Sequence, residues 1–121
     1  MASMFELSTG NVGSVRRWDT KNVKDFGHLF RGCTAFNLNI EEWDVSAAEK
    51  MDFMFHTAAR FSRHLHKWQV SRVTTMDSTF HAATDFNGNV SGWNVSSVES
   101  FSGTFRAAAA FHQDLSRWVR I

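Results

Sequence analysis

The chain has 121 residues, 43% apolar and 21% charged, the make-up of one folded domain. Thirteen Lys and Arg against twelve Asp and Glu leave a net charge of +1, which argues against a dedicated nucleic-acid binder. No apolar run approaches the roughly 18 residues of a membrane span. The single Cys excludes an internal disulfide framework. Met1-Ala-Ser-Met-Phe-Glu has no basic stretch leading into an apolar one, so no secretory signal is expected. There is no Pro and no Tyr, yet there are 12 Phe and 5 Trp.

Trp18, Trp43, Trp68, Trp93 and Trp118 recur every 25 residues, the mark of a stacked repeat. The chain divides accordingly into a partial coil at 1–17, full coils at 18–42, 43–67, 68–92 and 93–117, and a stub at 118–121. Met1, Met4 and Phe5 fall in phase with a preceding repeat, and Glu6, Ser8 and Asn11 suit the polar outer face of a cap. Trp118-Val-Arg-Ile121 starts a new coil with nothing polar to cover it, which predicts self-association through the ends.

With each Trp as position 1, position 13 is Phe30, Phe55, Phe80 and Phe105, and position 19 is Phe36, Phe61, Phe86 and Phe111. Positions 3, 6, 9, 12, 16 and 23 are apolar except at Thr20, Thr79 and Thr104, so these columns are the core. Positions 6, 9, 12, 13 and 16 follow the spacing of one helical face and predict a helix of about three turns. Ser71, Thr74, Thr75, Ser96 and Ser97 lie upstream, where N-caps are expected. The alternation at Trp-x-Val and at positions 19–23 predicts a short strand. Together they predict an α/β solenoid, leucine-rich-repeat-like and right-handed. Each of its coils would hold one short parallel strand and one helix, with the helices on the convex side.

Polar columns repeat as well. Asn37, Asn39, Asn87 and Asn89 are expected to form a structural ladder between coils. Positions 24 and 25 alternate in charge: Arg16-Arg17, Glu41-Glu42, then His66-Lys67. Position 14 follows the buried Phe and reads Arg31, His56, His81 and Arg106, a partly basic stripe and the leading binding-surface candidate, for acidic groups on a protein or glycan partner. Cys33 shares its column with three Ala and is expected to be a buried structural thiol. His64-x-His66 lacks the further ligands a metal site needs, so no metal and no other cofactor is expected. No catalytic arrangement stands out, and the Trp column is expected to be core, not a ligand platform. Asn89-Val-Ser91 and Asn94-Val-Ser96 are glycosylation sequons, relevant only in a secretory pathway.

Trp43-Asp-Val-Ser with Met51 to Phe55 and Phe61 resembles a known repeat, as does Trp93-Asn-Val-Ser-Ser-Val98 with Phe101, Phe105, Ala108 and Phe111 to Leu115. They are similar to the roughly 25-residue Trp/Phe repeat of BspA-like bacterial surface proteins and mycoplasma lipoproteins. Phe30-Arg-Gly-Cys33-Thr-Ala-Phe36 is similar to that repeat's F-x-x-C-x-x-L segment. The resemblance covers about residues 15 to 118. It implies surface display, adhesion or protein interaction and supplies no catalytic residues; a stack of this kind also has no cleft to hold catalytic groups, so no enzyme activity is expected. Position 8, often Asn in the family, is Asp25, Lys50, Thr75 and Ser100 here. The compartment implied by the resemblance is the cell surface or the extracellular space, although the chain shows no export signal. The expected function is a non-enzymatic interaction or structural module, with self-assembly into filaments or tubes as the alternative.

Overall fold

The structure is a computed structural model and describes residues 18–118. Equivalent residues of successive coils lie on top of one another. The Trp rings form one column, with centroids 6.4, 6.5, 6.3 and 6.2 Å apart from Trp18 through Trp118. Phe30, Phe55, Phe80 and Phe105 form a second column at 5.3–5.6 Å. Phe36, Phe61, Phe86 and Phe111 form a third at 5.6–5.9 Å. Within each coil the two Phe rings stack face to face at 4.0–4.3 Å. The inner members of these columns, with Ile40, Leu65 and Val90 and the small residues Cys33, Ala58 and Ala83, are the sealed core, while Trp18, Phe105, Phe111 and Trp118 at the ends of the columns are partly exposed.

The local structure inside each coil corrects the expectation from sequence. Among the described residues there is no helix, and strand pairing is confined to isolated parallel bridges that link Asp25, Lys50, Thr75 and Ser100. The α/β solenoid is therefore wrong, and the leucine-rich-repeat likeness fails with it. The predicted convex row of helices has nothing to build it.

Each coil is a run of tight turns. The N–H of Leu29 donates to the Phe26 carbonyl, Arg31 to His28, Cys33 to Phe30 and Phe36 to Cys33. The same series recurs in the coils below. Every one of these bonds spans three residues, as in β-turns, and none spans the four of an α-helix. A step of three between apolar positions is common to both, which is why the pattern misleads.

Backbone chirality decides between them. Position 11 is left-handed at His28, Phe53, Ser78 and Gly103, with φ from 55° to 67°. Position 15 is left-handed at Gly32, Thr57, Ala82 and Ala107, with φ from 58° to 74°. Two such residues per coil forbid a right-handed helix. They turn alternate N–H groups along the stack. His28 donates to the Asp52 carbonyl at 3.0 Å, Phe30 to Met54 at 2.9 Å and Gly32 to His56 at 2.9 Å. The same pattern links the second coil to the third and the third to the fourth.

The indole N–H groups complete the stack. Trp68 Nε1 donates to the Ile40 carbonyl at 3.1 Å, Trp93 to Leu65 and Trp118 to Val90, each at 2.9 Å. Each of those carbonyls also accepts the backbone N–H of the Trp three residues on. Thr79 and Thr104, the apparent flaws in an apolar column, are buried yet satisfied. The Thr79 hydroxyl lies 2.8 Å from the Met76 carbonyl and 3.0 Å from that of Met51. Thr104 lies 2.7 Å from Phe101 and 2.9 Å from Met76.

Two substitutions test this architecture. Phe80→Ala removes a fully buried ring from between Phe55 and Phe105 and should destabilise by about 3–5 kcal/mol in urea unfolding. Ala82→Gly relieves the left-handed strain of a side-chain-bearing residue and should stabilise by about 0.5–1 kcal/mol. Were position 15 helical, the same glycine would destabilise instead.

Candidate functional site

Position 14 runs down one side of the stack and meets position 11, whose left-handed backbone brings its side chain alongside. Arg31 Nη1 lies 3.1 Å from His28 Nδ1, so the guanidinium donates to an imidazole lone pair. Its Cζ also sits 5.3 Å from the centre of the Phe53 ring, within cation–π range. His28 and Phe53 stack at 4.9 Å, and Phe53 meets His56 at 5.3 Å. His56 and His81 then stack at 4.6 Å, with their planes 5° apart. Arg106 is the last member of the stripe among the described residues and is exposed.

Arg31, His56 and His81 are half-buried. The Nδ1 atoms of His56 and His81 are both buried without a hydrogen-bond partner. Protonating His56 at Nδ1 would place an N–H where nothing accepts it. Burial, then the proximity of His81, Arg31 and His28, holds the His56 imidazole below its ordinary pKa. A base depressed by folding binds more protons when unfolded. Its contribution to stability is complete above the unfolded value of about 6.5, and is lost as pH falls through the lower folded value.

The other polar columns hold coils together. Asn37 Oδ1 accepts the Ser62 N–H, and Asn87 Oδ1 accepts that of His112, each at 2.9 Å and each from the next coil. Asn39 and Asn89 act within their own coils, accepting the N–H groups of Glu41 and Ser91. His64 Nδ1 accepts the Asn89 N–H at 3.0 Å, so this ring is engaged in the stack. His66 lies 3.9 Å from Glu41, and Lys67 reaches Glu42 at 2.6 Å, joining two coils by exposed charge. Arg16-Arg17, the first members of that charge series, lie outside the described residues, as do the partial coil at 1–17 and Val119 to Ile121. Cys33 is buried in its small-residue column. Among the described residues no three His, Cys, Asp or Glu side chains come together as a metal site. No helix there is long and apolar enough to cross a membrane.

Sequence reasoning missed the contribution of position 11, and one signal was available. Phe53 is the only Phe of the full coils outside the core columns, and it lies three residues before His56. Also missed were Asp52 and Asp77, whose carboxylates accept the hydroxyls of Thr75 and Ser100 across the coil boundary.

The architecture defines a repeat protein in which 25-residue coils of turns stack through backbone, indole and side-chain hydrogen bonds. The chain belongs to the family described as "Mycoplasma protein of unknown function, DUF285", whose model matches residues 1–118. No curated protein and no solved structure matches it.

The histidine stripe gives a pH test. Wild-type protein should lose urea resistance from about pH 7 to about pH 5, and His56→Gln should lose less over that range. Equal slopes for the two proteins would remove His56 as the group responsible.

Proposed function

We propose that the chain is a non-enzymatic interaction module, and that the stripe of Arg31, His56, His81 and Arg106 is its contact surface for acidic groups on a protein or glycan partner. The observation that carries this reading is the state of the two guanidinium groups. Neither Arg31 nor Arg106 forms an ion pair among the described residues. Arg31 is also held in place by Phe53 and His28, so less side-chain freedom is lost when it meets a carboxylate.

A non-catalytic role fits how the other reactive side chains are used. Asp52, Asp77 and His64 bridge coils, and Cys33 is sealed in the core. The resemblance to BspA-like surface repeats supports display at the cell surface, where acidic protein and glycan partners are encountered.

The test is binding of the whole chain to an acidic peptide and to a uronic-acid-rich glycan, measured by calorimetry at low and moderate salt. Binding to at least one probe is expected. Arg31→Ala with Arg106→Ala should weaken it by about tenfold or more, and added salt should weaken it further. No binding to either probe, or binding that ignores both substitutions, would overturn the assignment.

A further inference from the structure

We infer that His56 and His81 together hold one oxyanion of the partner, a carboxylate or a sulfate ester, between two uncharged Nε2–H donors. The inference rests on the stripe being a contact surface, and it names the atoms and the ligand group.

The orientation of the rings comes first. The two imidazoles stack 4.6 Å apart with their planes within 5°. Both turn Nδ1 into the protein, where neither finds a hydrogen-bond partner. The Nε2 atoms are not sealed in this way. They bond to no protein group among the described residues and open to water. Two parallel rings with the same edge inward therefore present their Nε2 atoms side by side, one from each of two successive coils.

The place of the proton follows. An N–H at Nδ1 would have nothing to donate to, whereas water accepts from Nε2, so the neutral ring carries its proton at Nε2. A charged ring needs an N–H on both nitrogens and would leave the inner one unpaired. Burial, then the closeness of His81, Arg31 and His28, also favours the neutral form of His56.

The ligand group follows from the donors. With Nδ1 sealed, the pair offers two N–H groups and no lone pair. A sugar or serine hydroxyl can accept from it but finds no place there for its own proton. An ionised carboxylate or sulfate ester only accepts, and has at least two oxygens to meet two donors at once. The charge comes from Arg31, which holds the same position as His56 in the preceding coil. Its guanidinium lies against His28 and the Phe53 ring, and Phe53 in turn meets His56 at 5.3 Å. Among the described residues no carboxylate of the protein lies within ion-pair distance of either imidazole. Asp52 and Asp77, each four residues before one of the histidines, are committed to Thr75 and Ser100 in the next coil.

Nitrogen–proton correlation spectra of the histidine rings test this. They are recorded on the whole chain at about pH 7.5, above the ordinary imidazole value, as inorganic sulfate or acetate is added. Both rings should show the Nε2–H tautomer, and their Nε2 signals should move with at least one anion. Movement with sulfate alone assigns the site to sulfate esters, and movement with acetate alone to carboxylates. His56→Gln and His81→Gln keep an N–H donor near the place of Nε2 and should bind the anion within about threefold of wild type. His56→Phe and His81→Phe keep a flat ring but lose the donor, and should weaken binding by about tenfold. Should a Phe variant unfold, the wild-type spectra decide. Rings protonated at Nδ1, no movement with either anion, or folded Phe variants that bind as wild type would overturn the inference. If that happens while Arg31→Ala with Arg106→Ala still weakens binding to the acidic peptide or glycan, the stripe remains a contact surface and the histidines are not its ligands.

Discussion

Backbone N–H groups that point along the stack, not around the coil, are the constraint on which this molecule rests. An isolated 25-residue coil keeps only its three-residue turn bonds and has two left-handed residues to accommodate. At non-glycine positions each of those costs about 1–2 kcal/mol. The four N–H groups that donate from positions 9, 11, 13 and 15 to the next coil contribute a net 0.5–1.5 kcal/mol or so apiece. Strain and bonding are thus of similar size, and burial of the aromatic columns tips the balance. The backbone sets how the coils register, and the rings make stacking favourable. Neither works without a neighbouring coil.

That division explains how much could be seen in advance. The period, the core columns and the coil boundaries rest on side-chain burial, which leaves its trace in residue type. The turns rest on backbone chirality at positions 11 and 15, which here leaves almost none. Glycine would have marked these positions, but Phe53, Thr57, Ala82 and Ala107 occupy them as left-handed residues. A series of apolar residues three apart then looks helical. The site follows the same rule. Position 14 was visible as a basic column, whereas the support of Arg31 by Phe53 depends on the left-handed turn between coils.

The unusual composition follows from the same columns. A Tyr in place of Phe55, Phe61 or Phe80 would bring a hydroxyl into a region sealed from water and lined by rings. Trp is tolerated at position 1 because a carbonyl of the preceding turn stands ready for its N–H. Thr79 succeeds in the core for a similar reason, since two Met carbonyls lie within reach of its hydroxyl. Polar atoms enter this interior only where the stack supplies a partner, and the dry Nδ1 atoms of His56 and His81 are the departures from that rule.

The indole column also has an optical consequence. Trp43, Trp68 and Trp93 lie nearly parallel, 1° apart in plane and 6.3–6.5 Å between centres. Chromophores so close and so aligned share excitation, so light absorbed by one ring is emitted by another. The column acts as a short antenna, and its emission registers any break between coils far from the ring that absorbed.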